Sequence, residues 1–107
     1  MKKINVFDLP SSLDLTKEVF QPLVENEHIL IERIISKAHV TPEGQWYNQS
    51  KNEWVMVLKG EAELTFIDGN IIGLKIGEAI EIPAHCQHRV SWTTPNEETL
   101  WLAIHYQ

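Results

Sequence analysis

Apolar positions along this chain alternate with polar ones over short stretches and rarely keep a helical spacing. Glu53 to Lys59 and Glu61 to Ile67 are separated only by Gly60, and Asp68-Gly69-Asn70 forms a tight turn before Ile71 to Lys75. Further short runs occur at Ala79 to Ile82, His88 to Trp92 and Thr99 to Tyr106, and Pro95 to Glu98 supplies the last loop. His28 to Lys37 is rich in isoleucine and too short for a helix, and Thr41-Pro42-Glu43-Gly44 breaks the chain soon after it. Short strands joined by turns predict an all-β antiparallel sandwich or small barrel. Residues 1–27 read differently. With Pro10, Ser11, Ser12 and Pro22 among sparse leucines and valines, they predict a covering arm with one short helical turn around Thr16 to Leu23, ahead of a barrel over residues 28–107.

Two strands are apolar on both faces. In Glu53 to Lys59, Val55 and Val57 oppose Trp54, Met56 and Leu58; in the last strand, Leu100, Leu102 and Ile104 oppose Trp101 and Ala103. One face lines the barrel, and the other calls for cover by the N-terminal arm or by a second subunit. A homodimer is the expectation.

A chain of 107 residues makes one domain, and 43% hydrophobic with 22% charged residues is an ordinary globular balance. The net charge of −6, with basic residues scattered, argues against nucleic acid as a partner. No apolar run reaches the roughly 20 residues that span a bilayer, and the start shows no secretory pattern. The single Cys86 excludes an internal disulfide. These features together predict a cytoplasmic protein.

Two half-motifs carry the candidate chemistry. Glu53 precedes Gly60 by seven residues, and Gly77, Pro83 and His88 come next in order. In both pattern and order the chain resembles the cupin family. Glu53 to Gly60 is similar to the second half of the first cupin motif. Gly77 to His88 is similar to the second motif, with His85 at its second glycine position. The resemblance implies a double-stranded β-helix, or jelly-roll barrel, with Glu53 and His88 meeting at its mouth.

It also implies a divalent metal (Fe, Zn, Mn or Ni) and oxygenase, isomerase or lyase chemistry on a small organic or aromatic ligand. The family's paired histidines, however, would fall at Trp46 and Asn48. Tryptophan cannot ligate, and asparagine offers a weak carbonyl oxygen. Glu53, His88 and Asn48 are therefore the expected metal ligands, with His39 or Cys86 as replacements for the missing donors. Against this stand simpler roles: a solvated Glu53 paired with Lys51 or Arg89, a hydrogen-bonded barrel histidine at 88, and Cys86 as buried filler. Trp46, Tyr47 and Trp92 are expected to line an aromatic ligand pocket, or merely to fill the barrel. His28 and His105, near strand ends, read as structural or surface residues. The alternative to a metal protein is a metal-free binding or sensing module whose metal site has degenerated.

Overall fold

The computed structural model describes residues 1–107 and contains eight strands and no helix. In chain order they are β1 (Val19–Glu25), β2 (Ile29–Ser36), β3 (Asn52–Lys59), β4 (Ala62–Phe66), β5 (Ile71–Leu74), β6 (Ala79–Ile82), β7 (His88–Thr93) and β8 (Thr99–Tyr106). All pairings are antiparallel. A five-stranded sheet in the order β1-β2-β8-β3-β6 faces a three-stranded sheet in the order β5-β4-β7. The fold is the double-stranded β-helix, as the turn spacing and motif order imply.

The expected helical turn at Thr16 to Leu23 is overturned. Val19–Glu25 is a strand paired along β2, with a register shift between Pro22 and Val24. Pro22 lacks an N–H, and β1 is an edge strand, the one place in a sheet where that loss is tolerated.

Register decides which side chains enter the barrel. Across β3 and β8, Glu53 pairs with His105, Val55 with Ala103 and Val57 with Trp101. Across β2 and β8, Leu30 pairs with His105, Glu32 with Ala103 and Ile34 with Trp101. These positions point inward, where Val55, Val57, Ile34, Trp101 and Ala103 pack with Leu64, Phe66 and Ile82 in one core. Burying one such side chain contributes roughly 1.5–3 kcal/mol.

At the far end Gly60 closes the barrel. Its φ is +82°, and a Cβ there would lie 2.6 Å from Thr99 Oγ1, so only glycine fits both the turn and the contact.

The outward face of the large sheet divides in two. Over β1 and β2 the N-terminal arm covers it, held by the buried Arg33, whose guanidinium donates to the carbonyls of Val6 (3.0 Å) and Asp8 (2.9 Å) and to Gln21 Oε1. Over β3 and β8, Trp54, Met56, Leu102 and Ile104 remain half-buried. No helix is long and apolar enough to cross a membrane.

Candidate functional site

Glu53 enters the barrel at the start of β3 and His88 at the start of β7, from opposite sheets. Both are buried, at 7% and 5% exposure, and His88 Nε2 lies 3.8 Å from Glu53 Oε1. The two half-motifs therefore meet in one cavity of about 60 Å³. Neither Lys51 nor Arg89 forms an ion pair with Glu53, whose one ionisable neighbour at that range is His88.

His88 is held on every side. Its Nδ1–H donates to the Cys86 carbonyl at 2.9 Å. Backbone bonds join it to Tyr47 in both directions, at 2.7 and 3.2 Å. Its ring lies between those of Tyr47 and Phe66, with centroids 5.6 and 5.9 Å away. Because a carbonyl only accepts, the proton of the neutral imidazole sits on Nδ1, and the Nε2 lone pair faces Glu53. Burial pushes the Glu53 carboxyl above its ordinary value; the nearby His105 and His88 oppose that shift without reversing it. A carboxyl whose neutral form is favoured by burial and an imidazole nitrogen free to accept thus stand side by side.

The motif reading misses two cavity residues. His105 Nε2 donates to Glu32 Oε1 at 2.9 Å, and both side chains line the same cavity as Glu53 and His88. The hydrogen bond to Glu32 holds the His105 imidazole above its ordinary value, more strongly than partial burial lowers it. A signal is present: Glu32 shares alternation parity with Ile34, and His105 with Trp101 and Ala103, so polar groups sit in register with core positions. Gln49 and the half-exposed Phe20 complete the mouth.

Other expected site residues go elsewhere. Asn48 is exposed and accepts from His85 Nδ1 at 3.1 Å. Cys86 packs its side chain against the core. His39 accepts the Lys37 N–H on Nδ1 at 2.8 Å and, with Trp46, lines a separate cleft outside the barrel. Trp46 also lies under the Arg89 guanidinium, 6.0 Å from its ring centre. Tyr47 alone of the three expected aromatics lines the barrel cavity, and it lines the cleft as well.

Trp92 is turned outward and 41% exposed, opposite Glu63. Its even spacing from His88 predicts an inward ring, but the β4–β7 register shifts between Glu63 and Leu64, which inverts the parity beyond Val90. His85 lies in solvent, at φ +64°, occupying the motif's glycine position in a glycine-like conformation.

As a metal centre the arrangement is thin. No group of three His, Cys, Asp or Glu side chains is placed to hold an ion. Glu53 and His88 supply two donors, whereas Glu32 and His105 are engaged with each other. Catalytic zinc and non-haem iron sites usually take three protein ligands.

The cupin domain profile matches residues 37–105. This chain belongs to the cupin family. A crystal structure of a Ralstonia eutropha JMP134 protein, provisionally named a mannose-6-phosphate isomerase, is 40% identical with a TM-score of 0.92, covering 100% of this chain and 99% of that one. A cupin superfamily protein of Desulfitobacterium hafniense DCB-2 shares the fold at 18% identity and a TM-score of 0.73, covering 89% of this chain and 82% of its own. An RmlC-like cupin of Methanocaldococcus jannaschii does so at 16% and 0.72, over 99% and 91%. A search of curated proteins finds no match.

Proposed function

We propose that this cupin binds a small organic molecule by inserting one polar end, a hydroxyl or carbonyl, between Glu53 and His88, where the pair transfers a proton. The observation that carries this reading is the fixed orientation of His88: Nδ1 is bound to Cys86 O and Nε2 faces a carboxyl that burial keeps protonated to higher pH. At 3.8 Å the two do not bond each other directly, yet an oxygen beside them can lie about 2.8 Å from both. Glu53 then donates and His88 Nε2 accepts, the combination needed to move a proton across a carbonyl compound in an isomerase- or lyase-type step. The His105–Glu32 pair braces the neighbouring wall.

Size and charge restrict the ligand. About 60 Å³ admits one end of a molecule, leaving a flat or apolar body at the mouth against Phe20. No Lys or Arg lines the cavity, and two carboxyl groups do. A phosphorylated sugar, suggested by the name of the Ralstonia relative, finds no cationic partner there.

The test is a thermal-shift screen of small phenols and aromatic ketones in the presence of chelator. A compound that raises the melting point of the wild type but not of His88→Ala supports the reading through native-state binding. Stabilisation by mannose 6-phosphate, or by metal ions alone, overturns it.

A second reading rests on the same Nε2 lone pair, since metal-bound histidines usually donate their other nitrogen to a carbonyl or carboxylate. Glu53 and His88 would then hold a divalent ion that polarises a substrate oxygen. Elemental analysis of wild type and His88→Ala decides it: negligible metal in both removes this reading. The half-buried Trp54, Met56, Leu102 and Ile104 support docking of a second copy on the outer sheet face, which light scattering at micromolar concentration tests.

A further inference from the structure

A cleft of about 330 Å³ lies outside the barrel, between the start of β1 and the segment after β2. Glu18 and His39 stand in its wall with Trp46 and Tyr47, and no Lys or Arg lines it. Glu18 is anchored: its Oε2 accepts from Ser36 Oγ at 2.6 Å, and that fully buried hydroxyl in turn accepts from Trp101 Nε1–H at 3.2 Å. Its other oxygen has no donor within the protein. Burial raises the Glu18 carboxyl above its ordinary value, with the Ser36 bond and His39 acting against that shift, so the charged form is held at a cost that a cation would offset. Burial and the Glu18 charge likewise push the Tyr47 hydroxyl up, which places ring and carboxylate within electrostatic reach.

The obvious internal cation is His39, but no ion pair joins it to Glu18, and its Nδ1 is occupied by the Lys37 N–H. Trp46 already acts as a platform for a cation, with the Arg89 guanidinium 6.0 Å over its ring. A carboxylate with one free oxygen beside two aromatic side chains is a constellation that recognises organic cations.

We propose that this cleft is a second binding site, separate from the barrel cavity, for a small organic ammonium ion, its charge on Glu18 and its flat or apolar body on Trp46 and Tyr47. The inference does not depend on the barrel reading. Tyr47 stands between the two spaces and is the only aromatic residue that touches both.

The probe is benzylamine, titrated into isotopically labelled protein and followed by the indole N–H signals of the four tryptophans. A Trp46→Phe variant identifies the Trp46 signal. The Trp46 indole and the His39 amide are expected to move together, with a smaller shift of the Trp101 indole relayed through Ser36, while Ile82 and His105, in the barrel cavity, stay still. Glu18→Gln keeps an acceptor for Ser36 but removes the charge, and binding should weaken about tenfold, the loss of one charge-assisted contact. Benzyl alcohol and benzoate should give no comparable response. The proposal is overturned by equal binding of benzyl alcohol, by a Glu18→Gln variant that binds like wild type, by shifts centred on Ile82 and His105 in the barrel cavity, or by no response at millimolar benzylamine. Loss of the cleft site leaves proton transfer at Glu53 and His88 to its own test.

Discussion

The two ends of the barrel are built from the same strands to opposite purposes. At one end Gly60 and Thr99 touch so closely that no Cβ fits, and Val57, Ala62 and Trp101 fill the space behind them. At the other end, about 20 Å along β3, the same inward parity carries Glu53, Glu32, His88 and His105 around a cavity. Alternation alone would make both ends apolar. The imidazoles inside the barrel are tolerated because each finds a partner, His88 a carbonyl and His105 a carboxylate, whereas the Glu53 carboxyl has only His88 Nε2 nearby, at 3.8 Å. Packing at the closed end holds the fold, while the mouth carries in Glu53 a carboxyl whose ionisation lowers its stability.

The sharpest way to break this contrast is at the closed end. Gly60→Ala combines a positive φ with a 2.6 Å clash against Thr99 and should cost about 2–4 kcal/mol in denaturant unfolding. A loss under about 1 kcal/mol would show that this end is not tightly packed. His88→Ala, which removes a buried ring and leaves the Cys86 carbonyl without its donor, should cost about 2–3 kcal/mol and abolish ligand stabilisation.

At the mouth the pH dependence separates the two acid–base pairs. His105 has a raised pKa, so its pairing with Glu32 stabilises the fold fully below pH 6.5 and that contribution is lost as pH rises through the folded-state value. His105→Gln should remove this loss and lower acid-side stability by about 1–2 kcal/mol, read from melts at several pH values.

Glu53 has a raised pKa as well, because ionising it inside the barrel is unfavourable. Its contribution is fully present below pH 4.5 and declines as pH climbs through the folded-state value. Glu53→Gln should therefore raise neutral-pH stability by on the order of 1 kcal/mol. An unchanged or lower neutral-pH melting point would mean that the carboxyl is better solvated than its burial indicates. The smallest effect is expected at the loop beside the mouth. His85→Gly relieves a left-handed φ of +64° and gives up one exposed hydrogen bond, for a net gain of up to about 1 kcal/mol.

Much of this architecture is legible in the sequence. Turn residues and β-branched runs place β2 to β8 to within a residue or two, and the two half-motifs name the pair that meets in the cavity. The features that escape lie beyond local pattern. β1 exists because β2 offers it an edge, a tertiary effect that outweighs the prolines and acids of its own segment. Trp92 faces solvent because of a register shift that leaves no mark in a single strand. Glu32 and His105 come from strands distant in the chain, and only their register across β2 and β8 sets both on the inner face. Trp46 and Asn48 occupy positions where the family motif has histidines, but the backbone there leads one side chain to the outer cleft and the other to His85.

Arg33 gives the first residues of the chain a weight that their composition hides. Its guanidinium reaches the carbonyls of Val6 and Asp8 from within an apolar sheet face. Removing residues 1–9 would strand a positive charge beside Leu23 with only Gln21 to answer it. A protease that nicks this leader would therefore loosen the sheet itself, and resistance of the intact chain to such cleavage becomes a measure of how firmly the barrel is shut.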